Sequence, residues 1–128
     1  MAKSFSIKNN PTFKATVQVP RVGGEDLPVQ FEFKVVSRQA LGALMDKWRK
    51  EAIDLFTQAQ DEEWDFERLT GSEINLHVSQ VQDIVLGWGF KEEFNEENLT
   101  ELCASSAFVL EAITEVYHQA FQRAKSGN

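Results

Sequence analysis

The residues whose types and spacing come closest to chemistry are Glu111, Glu115 and His118, on one run near the end of the chain. A Glu-x-x-His pair with a further glutamate one turn earlier supplies part of a di-iron carboxylate site when a helical bundle completes it. Completion requires a second Glu-x-x-His and more carboxylates on facing helices, and no second copy of the pattern occurs. All three residues also fall opposite the apolar stripe of their segment, where a solvated helix face belongs. Cys103 is the single cysteine, which rules out an internal disulfide and a multi-cysteine metal site. A catalytic thiolate wants a basic neighbour; the residues near Cys103 are acidic and apolar, so a small buried hydrophobe fits better. His77, the other histidine, is flanked by apolar residues and serine, and reads as a surface or capping group. The run Asp61-Glu62-Glu63 lacks the alternating oxygen ligands and glycine of a calcium loop. Gly87-Trp88-Gly89 lacks the spacing of a dinucleotide fingerprint, and Asn98-Leu99-Thr100 is a glycosylation acceptor only in a secreted protein. The expectation is a non-enzymatic protein that binds without cofactor or metal.

Charge narrows the partners. The net charge of −7 is unevenly spread: residues 1–36 carry five basic and three acidic groups, residues 37–128 eight and seventeen. Residues 61–101 hold twelve acids against Arg68 and Lys91. Phosphate backbones require clustered Lys or Arg, so nucleic acid is not the expected partner. No run of about 18 apolar residues offers a membrane span. The opening Met-Ala-Lys-Ser-Phe-Ser-Ile-Lys lacks a signal-peptide core, so a cytoplasmic location is expected.

The elements that position these residues follow from periodicity. Phe13, Ala15, Val17 and Val19 alternate with polar residues, as do Val29, Phe31, Phe33 and Val35, and the loop-forming stretch Pro20–Pro28 separates them. Residues 1–36 therefore read as an antiparallel hairpin, with Ser4–Lys8 as a candidate third strand. Two strands alone are marginal in water, so their apolar face is expected to lie on the helices or on another subunit. Ser37 caps a helix whose apolar residues run Leu41, Leu44, Met45, Trp48, Ala52, Leu55, Phe56 and Ala59, with Asp46 and Lys50 as a surface pair. Gly42 on this helix is a point where another backbone can approach. Residues 60–72 show no clean period and read as an acidic connection, in which Trp64 and Phe66 either anchor the loop or contact a partner. A second helix is expected to begin at Ser72 and to carry Ile74, Val78, Val81, Ile84, Val85 and Trp88 on one face. Ile74, Leu76 and Val78 also alternate, but the longer helical stripe decides for helix over 74–79. The final stripe is Val109, Ala112, Ile113, Val116, Tyr117, Ala120 and Phe121, and residues 124–128 are expected to fray. The fold class is α+β: one domain over 1–128, a hairpin part over 1–36, and a helical part of three to four helices over 37–123.

Between the last two stripes lies Gly87-Trp88-Gly89-Phe90 and an acidic turn closed by Phe94. It reads as an aromatic corner between helices, anchored by Trp88, Phe90 and Phe94, with Tyr117 and Phe121 as anchors beyond it. Asn95 follows as a cap, with Glu96 and Glu97 at the positive end of the next helix. This order of a helix ending Val-Leu-Gly-Trp, the linker Phe90–Leu99 and a helix bearing Ala112, Ile113 and Tyr117 resembles the tail assembly chaperones of long-tailed, lambda-like bacteriophages. The resemblance covers chiefly Val81–Arg123; where family members carry a Pro-Gly-like break, this chain has Ala104-Ser105-Ser106-Ala107. It implies a protein that binds the tape measure protein, keeps it soluble and helps recruit tail tube protein, partly through a frameshifted longer product. It also implies self-association, action in the host cytoplasm and absence from the finished virion. The candidate partner or self-association surface is Phe13, Val17, Phe31, Phe33, Gly42, Trp64 and Phe66. The alternative is an acidic decoy that blocks a basic nucleic-acid-binding protein.

Overall fold

The computed structural model describes residues 4–8 and 10–122. Strand β1 (Thr12–Val19) and strand β2 (Leu27–Lys34) pair antiparallel, with Phe13 opposite Phe33 and Val17 opposite Val29. The alternation works as expected: Val17, Val19, Val29, Phe31 and Phe33 face inward and are buried, while Lys14, Thr16 and Gln18 are exposed. Gly24 N donates to Arg21 O at 3.3 Å across the hairpin loop, and Gly23 sits at φ 76°. A turn that needs positive φ at its third position selects glycine there.

Four helices follow, and they differ from the sequence expectation in two places. Helix α1 (Arg38–Asp61) starts as read, with Ser37 Oγ accepting from Ala40 N at 3.1 Å. It ends abruptly at Glu62. Glu63 N donates to Gln60 O, Trp64 N donates to Ala59 O, and Glu63 adopts a left-handed φ of 52°. That pair of bonds is a Schellman closure, normally built on glycine. Asp65 then caps helix α2 (Phe66–Ile84), accepting from Arg68 N at 2.8 Å. Residues 66–72 are therefore helical, Ser72 is not the cap, and 74–79 is helix. On α1, Lys50 pairs with Asp54 at 2.7 Å and not with Asp46.

The second difference is the end of α2. The helix stops at Ile84, and Val85–Trp88 forms strand β3, antiparallel to β2 in a sheet of order β1-β2-β3. Phe31 opposes Trp88, Phe33 opposes Val85, and Gly89 N donates to Gln30 O at 2.8 Å. Val81, Ile84, Val85 and Trp88 fit a helical stripe, but β2 offers an unpaired row of backbone groups, and Gly87 and Gly89 each weaken a helix by about 1 kcal/mol relative to alanine. The glycine corner is thus a strand end against β2, not a junction of two helices. The third strand is β3, and Ser4–Lys8 is not one: Phe5 and Ile7 are 89% and 101% exposed.

Helix α3 (Glu96–Ser105) is capped by Asn95, whose Oδ1 accepts from Asn98 N at 2.8 Å. The chain breaks at Ser106 and continues as helix α4 (Val109–Gln122). Helix α4 lies on β1, and α2 packs on both α3 and α4. The two parts share one apolar core in which Phe31, Phe33, Val81, Ile84, Leu99, Ile113 and Tyr117 are fully buried. Helix α1 joins this core from the edge, against α2: Trp48 is its only buried residue, and Leu41 and Leu44 pack on the cluster partly exposed. The tail at 124–128 lies outside the described residues.

Candidate interaction surface

The chemically suggestive residues stay apart. Glu111 and Glu115 are exposed on α4, His118 is half-buried, and among the described residues no three His, Cys, Asp or Glu side chains converge as a metal set. Cys103 is 3% exposed on α3, and burial pushes its thiol up to about 11. Burial likewise lowers the His77 imidazole below its usual value, with Glu73 opposing that shift weakly. The remaining feature of the molecule with functional potential is its uncovered apolar surface.

Four of the residues assigned from sequence to a partner surface belong to the interior. Val17, Phe31 and Phe33 are 0% exposed. Phe13 is half-buried and stacks on Phe33 and Tyr117, with ring centroids 5.2 and 6.0 Å apart, and meets Phe121 edge-on at 6.5 Å. The hairpin face is covered by the chain's own helices, chiefly α4, so it has no room for a second copy.

Helix α1 shows the reverse. Its position over α2 is set by Trp48, whose Nε1 donates to Asp83 Oδ2 at 2.9 Å, while Lys47 Nζ donates to the same oxygen at 2.9 Å. The Asp83 hydrogen bond and charge raise the Lys47 ammonium above its usual value, against partial desolvation. Leu41, Leu44, Ala52 and Leu55 are half-buried, whereas Met45, Ile53 and Phe56 are 42%, 58% and 48% exposed. These three recur at steps of eight and three residues with exposed Arg49 between, one stripe along the helix. Gly42 opens onto the same solvent side: a Cβ there would meet nothing within 4 Å.

The expected aromatic pair divides. Trp64 is half-buried at the α1–α2 turn, with the Arg68 guanidinium 4.3 Å from its ring centroid and its Nε1 donating to Glu62 Oε1 at 3.2 Å. Bonds from Gln58 and Trp64, with the nearby Arg68 charge, hold the Glu62 carboxyl below its usual range. Phe66 is 88% exposed at the first position of α2. Around it Asp61, Glu62, Glu63, Asp65 and Glu67 are all exposed, with Arg68 the nearby base. The result is an apolar helix stripe running toward an acidic tip.

A groove of about 440 Å³ lies between the hairpin loop and α3. Val19, Leu27, Trp88, Phe90 and Leu102 give it an apolar wall, Arg21 lines one side, and Glu92 and Glu101 line the other. The aromatic corner supports that wall. Trp88 meets Phe31, Phe90 and Phe94 edge-on at 6.1, 5.1 and 5.0 Å, and its Nε1 donates to Glu92 O at 2.8 Å.

Sequence reasoning missed the groove and the exposure of Met45, Ile53 and Phe56. A signal for the stripe existed. The apolar residues from Leu41 to Ala59 cover an arc of about 120° at 3.6 residues per turn, and Ile53 widens it to about 180°. One neighbouring helix does not cover so wide an arc.

A family model described as phage tail assembly chaperone matches residues 1–128. No curated protein and no solved structure matches the chain significantly.

Proposed function

The chain belongs to the phage tail assembly chaperone family, and from that premise we propose that it binds the tape measure protein and keeps it soluble until the tail tube encloses it. The observation that carries this reading is the uncovered stripe Met45, Ile53 and Phe56 on α1, ending at the acidic tip with Phe66. A long amphipathic helical client exposes an apolar stripe of its own before assembly. Laid along α1, it would become the third helix of a bundle in which α1 and α2 are already packed. Exposed apolar patches ringed by charge are what protein-binding surfaces look like. The acids near Phe66 keep the coated client soluble and favour encounter with basic segments. The action is binding without turnover, in the host cytoplasm, by a protein left out of the finished virion. Tail tube recruitment would pass through a longer frameshifted product.

Within this reading Trp88, Phe90, Phe94, Tyr117 and Phe121 hold the scaffold, while Met45, Ile53, Phe56, Phe66 and the open side at Gly42 form the working face. Trp64 closes the α1–α2 turn. The test is co-expression with a candidate tape measure protein. The native chain should raise the client's soluble fraction, and Met45→Ser/Ile53→Ser/Phe56→Ser should lose that effect at unchanged melting temperature. A triple variant that solubilises as well as the native chain removes α1 from the account.

A further inference from the structure

We propose that the N-terminal arm of one copy, residues 4–8, seats in the groove between the hairpin loop and α3 of a second copy. The arm is a segment without a home in its own chain. Phe5 and Ile7 alternate with Ser4, Ser6 and Lys8, so both point to one side of an extended strand. Yet they are 89% and 101% exposed, more than any other large apolar residue described. Two large side chains left in water forgo the free energy that burial would give them.

The groove has the matching chemistry. Its volume of about 440 Å³ falls within the range of pockets that enclose a ligand. Trp88, Phe90 and Leu102 face it as apolar contacts, and Glu92 and Glu101 line its α3 side. Its charged lining is Glu92 and Glu101 against Arg21, whereas residues 3–8 carry Lys3 and Lys8 and no acid. Opposite charge on the arm and on the α3 side of the groove favours this pairing.

Topology decides between the arm's own groove and a neighbour's. The arm precedes β1, while the groove runs from Trp88, level with Ala15, to Val19 and the hairpin loop at the far end of that strand. The eight residues of β1 span about 26 Å. Ile7 is five residues before Thr12, so an arm doubled back along its own strand carries Ile7 only about 17 Å. The hairpin-loop end of its own groove, at Val19 and beyond, is out of reach for Ile7, and a second copy's is not. Exchange of a terminal segment between identical chains is an established low-cost route to association.

Two measurements on the full-length protein test this. Light scattering at micromolar concentration should give the native chain a mass above 14.6 kDa, and Phe5→Ser/Ile7→Ser should return it to the monomer with an unchanged melting curve. In a mixture of Ile7→Cys and Ser105→Cys chains, mild oxidation should trap an intermolecular disulfide. Ile7→Cys mixed with Thr57→Cys, an exposed position on α1, should trap none. The proposal is overturned if the native chain is a monomer, or if the serine variant keeps the native mass. It is equally overturned if a chain carrying both Ile7→Cys and Ser105→Cys closes only on itself. Loss of client solubilisation without loss of mass would also overturn it, by assigning the arm to the client. Because mass and client solubility are read separately, failure here leaves the proposed function standing.

Discussion

Replacing Trp88 with alanine should loosen the end of β3, the acidic turn and the start of α3 together. The indole makes edge-on contacts with Phe31, Phe90 and Phe94 and donates to the Glu92 carbonyl at 2.8 Å. Truncating a fully buried tryptophan costs about 3–5 kcal/mol. Trp88 is half-buried, so the expected loss is about 2–4 kcal/mol, a large part of the about 5–15 kcal/mol that holds a domain folded. Trp88→Phe should cost less, because it keeps a ring against the neighbours while losing the hydrogen bond, worth about 0.5–1.5 kcal/mol. The assay is denaturant unfolding, read as the midpoint at constant m-value. The predicted order is native, then Trp88→Phe, then Trp88→Ala, with the last lowering the melting temperature by roughly 10 °C or more. An alanine variant with the native midpoint would show that the corner is not held by this ring.

Other outcomes follow from single positions. Glu63→Gly should stabilise by up to about 1 kcal/mol in thermal unfolding, because a left-handed conformation costs a non-glycine residue about 1–2 kcal/mol and glycine's extra unfolded-state freedom offsets part of the gain. Asp83→Ala should cost about 2–3 kcal/mol, most of it from the Trp48 indole left without its charged acceptor, since the exposed Lys47 pair contributes little; a midpoint change below 0.5 kcal/mol, roughly the noise of single surface substitutions, would refute it. Cys103 gives a pH dependence: its thiol ionises near 9.0 when unfolded and is pushed up to about 11 when buried. The unfolded state therefore loses the proton first, and stability falls as pH rises from about 9 to 11, by about 2–3 kcal/mol. Cys103→Ala should flatten that decline relative to native protein, whatever its effect at neutral pH.

The hairpin was readable because period-two alternation has one physical meaning over six to eight residues, and Ser37 and Asn95 were readable because each bonds an otherwise free amide in the first helical turn. The end of α1 was not. It uses a left-handed glutamate at Glu63 where glycine would have signalled the stop, so the sequence reads as a connection extending to Ser72. Strand β3 was hidden because Val81, Ile84, Val85 and Trp88 satisfy a helical stripe, and only the open edge of β2 decides between the two. The candidate surface was partly legible. Alternation identifies Val17, Phe31 and Phe33 as one apolar face without saying what covers it, and α4 covers it. Phe66 lies outside the α1 stripe and reads in sequence as one more loop aromatic, although it is the more exposed member of its pair.

The central claim is that α1 presents the client-binding face, and the most direct measurement is affinity for a purified helical segment of the tape measure protein. Native chain, Met45→Ser/Ile53→Ser/Phe56→Ser and Phe5→Ser/Ile7→Ser would be titrated onto the immobilised segment at two salt concentrations. The account predicts saturable binding by the native chain and by the arm variant, and at least a tenfold weakening, about 1.4 kcal/mol, for the α1 variant. Higher salt should slow association more than it speeds dissociation. Equal affinity of the α1 variant and the native chain, with both folded, would contradict it.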